Sequence, residues 1–264
     1  MRENMVELVP WGIGFFDAQF GGLPRGRAAL ITGRSGSGKT AAAIQFILQG
    51  LQNDERVVVV LSAGADEFKR AASQFNPHIE AEIARGHLRI FPMQEADGNS
   101  SDTLSLQTIP DLIASAGATR AVVDSVLPWV CPPPTDETES FLMGIASHFE
   151  QSGATTLLTM RKPASAASRE LRRSIERGAP VSITLTVEGH NEKRIWEVGK
   201  YEGREAGRTV EFAIEPGIGL VRKASASEVA ALRPGRDTKP AESLADVLLP
   251  PRRMPMPDLG ESAG

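Results

Sequence analysis

The chain has 264 residues, enough for one sizeable α/β core with additional segments. Its formal net charge is −4, so nothing global argues for a nucleic-acid or membrane surface. One cysteine, Cys131, excludes an internal disulfide and makes a reducing compartment the default, and no apolar run reaches the ~18 residues of a membrane span. Met1 to Glu7 lack the apolar core of a signal peptide, so the cytoplasm is the expected location.

Val6 to Pro24 reads as a lead-in, with a short helix over Phe15 to Phe20 and a turn over Gly21 to Gly26. Apolar Ala28 to Thr32 predicts a strand. It runs into Gly33-Arg34-Ser35-Gly36-Ser37-Gly38-Lys39-Thr40, which satisfies G-x-x-x-x-G-K-[ST] at every fixed position. Glycines at these places let backbone amides turn inward as a cup for phosphate oxygens. The helix that follows, Thr40 to about Gln52, points its positive end at the same spot. Lys39 is placed to reach the β- and γ-phosphates, and the Thr40 hydroxyl to bind Mg²⁺. Strand, loop and helix together point to a nucleoside triphosphate.

Val57 to Leu61 is an uninterrupted β-branched run, as expected of a strand buried on both faces. A helix is expected over Asp66 to Phe75, with Phe68, Ala71, Ala72 and Phe75 on one side. Leu88 to Phe91 is a short strand, and Glu95 to Thr103 a polar loop. Leu106 to Ala116 reads as a second crossover helix ended by Gly117. Ala121-Val122-Val123-Asp124-Ser125 is a buried strand with a carboxylate at its C-terminal end. Cys131 to Pro134 breaks the chain before a helix over Asp136 to Gln151, capped by Thr135 or Asp136. Thr155 to Met160 is the next strand. The alternation predicts an α/β fold, a mostly parallel sheet with helices on both faces.

Arg161 to Arg177 is basic, with Arg161, Lys162, Arg169, Arg172, Arg173 and Arg177 against Glu170 and Glu176. Val181 to Val187, Lys193 to Lys200, Arg208 to Ile214 and Gly219 to Val221 are short strands separated by turns, as expected of C-terminal antiparallel hairpins. Beyond Arg222 the composition turns to alanine, serine, proline and charge. The expected division is therefore a nucleotide-binding domain over 1–222 and a disordered tail over 223–264, with one apolar island at Leu244 to Leu249 that could dock a protein partner. His78, His87, His148 and His190 show no metal-ligand spacing with one another or with Cys131.

The chain resembles the RecA/KaiC-like ATPases, most of all the KaiC type. Gly12-Ile13-Gly14-Phe15-Phe16-Asp17, Gly21-Gly22-Leu23-Pro24-Arg25-Gly26, the phosphate loop, Gln45 to Leu51, Val122-Val123-Asp124-Ser125 and Thr155 to Thr159 carry the resemblance, in order, within Val6 to Val221. It implies a RecA-like core, a Mg²⁺-ATP site between adjacent subunits and a homo-oligomeric ring, commonly a hexamer. It also implies that Asp124 holds Mg²⁺, through water.

Two positions depart from the family pattern. Where the family carries a glutamate pair that polarises the attacking water, this chain has Ser62 and Ala63. Asp66 and Glu67 follow just beyond, in what reads as the first turn of a helix. At the late strand the family offers a lysine and an arginine, two apart, to the neighbouring subunit's γ-phosphate. Here the stretch is Lys200-Tyr201-Glu202, so the lysine is kept and an acid replaces the arginine. The expectation is tight Mg²⁺-ATP binding with slow hydrolysis, in a switch or scaffold. A second reading takes the base from Asp66, Glu67 or another side chain. A third, a recombinase-related protein binding DNA through 161–177, is disfavoured by the interleaved glutamates, the absence of aromatics and the acidic chain.

Overall fold

The computed structural model describes residues 6–62, 64–92, 108–126, 144–189, 193–202 and 204–224. Among them the order is β1 (Leu8–Val9), α1 (Gly14–Phe20), β2 (Leu23–Pro24), β3 (Ala28–Gly33), α2 (Lys39–Gln52), β4 (Val57–Leu61), α3 (Ala65–Ser73), α4 (Ile79–Ala84) and β5 (Leu88–Pro92). Then come α5 (Ile109–Ser115), β6 (Arg120–Asp124), α6 (Ile145–Gln151), β7 (Thr155–Arg161), α7 (Ala166–Gly178), β8 (Val181–Glu188), β9 (Lys193–Tyr201), β10 (Arg204–Glu215) and β11 (Gly219–Arg222). The larger sheet has the strand order β11-β10-β9-β8-β3-β7-β6-β4-β5.

From β8 through β5 every neighbouring pair is parallel, and β9, β10 and β11 add antiparallel strands at one edge. The α/β expectation therefore holds, with a refinement at β8. That strand pairs parallel with β3 and antiparallel with β9, so it is the seam between the two kinds of sheet.

The two-residue period of the strands sorts the core into two layers. Ala29 and Ile31 of β3, Val57, Val59 and Leu61 of β4, Val122 of β6 and Leu157 of β7 pack with α2, α3 and the lead-in. Ala28 and Leu30, Val58 and Val60, Ala121 and Val123, and Leu158 and Met160 point the other way, against α5, α6 and α7. This burial on both faces is what the unbroken apolar runs require.

Some elements differ from expectation. Leu8–Val9 and Leu23–Pro24 pair as a small antiparallel ribbon where the sequence shows a lead-in and a turn. Strands of two residues are too short to display a period. The six-residue α4 was not foreseen for the same reason. β10 begins at Arg204 rather than Arg208, because its ladder with β9 continues across a bulge between Glu205 and Arg208. The helices expected from Leu106 and Asp136 are described only over Ile109–Ser115 and Ile145–Gln151. The loop at Glu95, the break at Cys131, Ala63, His190 and the tail after Ala224 lie outside the described residues.

The lead-in is held by aromatic packing. Trp11 meets Phe16 and Trp196 edge-on at centroid separations of 5.1 and 5.3 Å, and its Nε1 donates to the Ala42 carbonyl at 2.9 Å. The Asp17 carboxylate accepts from the amides of Trp11 and Gly12, both at 2.8 Å. Gln45 ties α2 to this lead-in and to β11, donating to the Gly12 carbonyl at 3.0 Å and accepting from the Leu220 amide at 2.8 Å.

Candidate functional site

β3 delivers Gly33 at the C-terminal edge of the parallel sheet, and α2 starts at Lys39. The loop between them is tight because Gly36 and Gly38 take φ values of +74° and +107°. A Cβ at Gly38 would also come within 3.1 Å of Ile214 Cδ1, so β10 backs the loop from behind. The Lys39 side chain is buried and its Nζ donates to the carbonyls of Gly33 and Arg34, both at 2.9 Å. Burial pushes this ammonium below its ordinary 10.5, Asp124 opposes that, and the charge of Arg161 adds to it.

Asp124 ends β6, two strands from β3 in the sheet. Its Oδ2 accepts from the Thr40 hydroxyl at 3.1 Å and its Oδ1 from the Thr159 hydroxyl at 2.5 Å. Its carbonyl accepts from the Ser62 amide at 2.8 Å, and the Ser62 hydroxyl accepts from the Ser125 amide at 3.0 Å. Ser62 therefore laces the ends of β4 and β6 together. A cavity of about 450 Å³ opens over this group. Ser35, Gly36, Lys39, Thr40, Asp124 and Arg161 line it, as do Ser62, Glu67 and Phe68 from the β4–α3 side.

The structure thus brings together Lys39, Thr40 and Asp124, which lie far apart in the chain. Glu67 borders the same cavity from the first turn of α3. Lys200 stands elsewhere. Its Nζ donates to the carbonyls of Glu176, Arg177 and Ala179 at 2.9, 3.2 and 2.8 Å, closing the C-terminus of α7. Lys200 and Glu202 border a separate surface cavity with Arg27 and Pro180. Sequence reasoning singled out neither Thr159 nor a pocket role for Arg161. The signal was available in the alternation of β7, which puts residues 157, 159 and 161 on the α2 side of the sheet.

The donor chemistry suits Mg²⁺. Thr40 and Asp124 offer oxygen only, and among the described residues no group of three or more His, Cys, Asp or Glu side chains could cage a metal. Mg²⁺ characteristically takes one or two protein oxygens and completes its shell with water and phosphate.

A glycine loop feeding a helix at the end of a parallel strand, with an aspartate two strands away, is the arrangement of a P-loop nucleotide-binding fold. The family model described as ATPase: KaiC matches residues 9–223, and the chain belongs to that family. It is 29% identical over 167 residues to the circadian clock oscillator protein KaiC of Thermostichus vulcanus, covering 60% of this chain and 32% of that protein. To KaiC of Parathermosynechococcus lividus it is 30% identical over 158 residues, covering 56% and 29%. The chain therefore spans about a third of the length of these curated relatives. Among solved structures, a KaiC-like protein of the hyperthermophilic archaeon Pyrococcus horikoshii OT3 superposes with a TM-score of 0.67 at 27% identity, covering 83% of this chain and 100% of that one.

Proposed function

We propose that the cavity binds Mg²⁺-ATP and that the chain acts as a nucleotide-dependent switch or scaffold which turns ATP over slowly. One observation carries the reading. The Thr40 hydroxyl and the Asp124 carboxylate meet at 3.1 Å beside the phosphate loop, in one cavity with Lys39. In this reading the Gly33 to Gly38 amides cradle phosphate oxygens, Lys39 neutralises them, and Thr40 and Asp124 hold Mg²⁺. Bound there, the metal supplies positive charge to the terminal phosphates. Slow turnover is supported by Ser62, which stands at a glutamate position of the family and whose hydroxyl is engaged in hydrogen bonds to Asp124 and Ser125. A serine hydroxyl cannot accept a proton from water at neutral pH. Lys200, engaged with α7 in its own chain, supports the same conclusion. Family membership favours a homo-oligomer, with ring assembly as the proposed form.

A second reading rests on Glu67. Of the two acids after β4, it borders the cavity and Asp66 does not. Glu67 would then take the water's proton. The nucleic-acid reading loses support, because Arg172 pairs with Glu176, and Arg173 and Arg177 with Glu170, all within α7.

Calorimetry and phosphate release test these readings. Lys39→Ala is expected to weaken Mg²⁺-ATP binding about tenfold to a hundredfold, the worth of a hydrogen bond to a charged group. Unchanged affinity would sink the nucleotide assignment. Wild-type turnover is expected well below the roughly 10 s⁻¹ of a median enzyme. Brisk turnover abolished by Glu67→Gln would replace the first reading with the second.

A further inference from the structure

Arg161 is the last residue of β7, and it has no part in the family pattern described above. In register it pairs with Gly33, the first glycine of the phosphate loop. The Lys162 amide donates to the Gly33 carbonyl at 3.1 Å, so the two strands are still joined at that point. β7 lies between β3, which carries the loop, and β6, which carries Asp124. A side chain at its end therefore stands in the gap between Lys39 and Asp124.

The face is fixed by alternation. Leu157 packs in the layer with α2, while Leu158 and Met160 pack in the opposite one. Thr159 shares the Leu157 face and reaches the Asp124 carboxylate. Arg161 is next on that face and lines the cavity with Ser35, Gly36, Lys39, Thr40 and Asp124. The side chain is exposed, and among the described residues no carboxylate pairs with it. Its neighbours in sequence on α7 are different. Arg172, Arg173 and Arg177 are spent on glutamates of their own helix. A second cation held near a buried ammonium is unfavourable by itself, and its charge is felt at Lys39. An anion between the two relieves that repulsion. A guanidinium is also the cation best shaped for it, since its planar fork meets two phosphate oxygens at once.

We infer that Arg161 is a phosphate-reading residue supplied by the same subunit, which contacts the terminal phosphate of a bound nucleoside triphosphate and so lets the site distinguish triphosphate from diphosphate. The inference rests on the proposed Mg²⁺-ATP reading of the cavity. It goes further in giving the chain an in-subunit cation where Glu202 replaces the arginine that the family offers from a neighbour. Such a contact acts on binding and on the state of the switch. It leaves the question of the base untouched.

The test is calorimetry with Mg²⁺ and two probes, a non-hydrolysable ATP analogue and ADP, on wild type, Arg161→Ala and Arg161→Lys. Arg161→Ala is expected to weaken the triphosphate about tenfold to a hundredfold while ADP stays within about twofold. Arg161→Lys restores part of the loss, because it returns the charge without the fork. An exposed residue at a strand end is a mild site for substitution, and an unchanged melting temperature verifies that the variants fold. Equal losses for both probes, or none for the triphosphate, overturn the inference and leave the Mg²⁺-ATP reading standing. Wild type that binds neither probe overturns both.

Discussion

The two ends of β6 carry opposite charges with opposite fates. Arg120 opens the strand and Asp124 closes it. Arg120 is completely buried, and its donors are used by the chain itself. Nε and Nη2 meet the Glu55 carboxylate at 2.9 Å each, and Nη1 donates to the carbonyls of Pro10 and Phe46 at 2.8 and 3.2 Å. The guanidinium also lies 4.6 Å from the centre of the Phe46 ring. Room for it depends on Gly50, where a Cβ would come within 2.6 Å of Arg120 Cδ. Asp124 is only partly buried, holds two hydroxyls and faces a cavity. A charge whose bonding is completed from within serves the fold. A charge with lone pairs left over at a cavity is, in the proposed reading, the one available to a ligand.

The sharpest way to break this contrast is Glu55→Ala. It leaves a guanidinium buried with two carbonyls and without its direct ion-pair partner, the Asp17 carboxylate being the remaining negative charge that it feels. The expected loss is about 3–5 kcal/mol of unfolding free energy, read by urea denaturation. Nucleotide affinity of the folded fraction stays unchanged, since the pair lies at the far end of the strand from the cavity. A loss below about 1 kcal/mol would show that water reaches Arg120 and that the pair is no core element.

Asp124→Asn probes the other end. The amide still accepts from one hydroxyl, so the stability loss is about 1 kcal/mol, one ordinary hydrogen bond. The functional loss is larger: the gain in ATP affinity on adding Mg²⁺ is expected to fall about tenfold or more, by titration with and without the metal. Equal Mg²⁺ dependence in wild type and variant would move the metal elsewhere.

What could be read from the sequence follows from how local each signal is. The phosphate loop carries its chemistry in eight consecutive residues, Gly33 to Thr40, β4 announces itself as an unbroken apolar run, and β6 shows one over Ala121 to Val123. Asp124 was readable because its strand fixes where it ends. Arg120 was not. The expected strand begins after it, at Ala121, and its partners Glu55, Phe46 and Pro10 are 65, 74 and 110 positions away. Arg161 was grouped with the basic stretch that follows it, although the strand ends there and the helix begins at Ala166. Charge counting joined two residues sets that the change of backbone separates. Lys200 shows the reverse case. A family pattern directs it to a neighbouring subunit, while within one chain it is bound to two carbonyls of the last turn of α7 and to that of Ala179 just beyond.

The smallest expected effect concerns acid. Burial works to raise the Glu55 carboxyl, but hydrogen bonds and charge from Arg120, with help from Thr119 and Asn53, outweigh it and hold the group below its ordinary 4.5. The folded state therefore binds this proton less tightly than the unfolded one. The resulting stabilisation is fully present above about pH 4.5 and is lost as pH falls through the folded-state value. Other carboxylates titrate in the same window. Glu82, held low by its hydrogen bond with His87, is one of them. A wild-type acid curve alone would not single out Glu55, so the informative quantity is a difference. Glu55→Gln keeps an acceptor for Arg120 and removes the titrating charge. At neutral pH the variant is expected to be the less stable, and the gap should narrow as pH drops below 4.5, because wild type loses its ion pair while the variant has none to lose. Glu82 contributes equally to both proteins and cancels. Urea midpoints between pH 7 and 3 measure the gap, and a gap that stays constant across the range would mean that the Glu55 charge adds nothing beyond its hydrogen bonds.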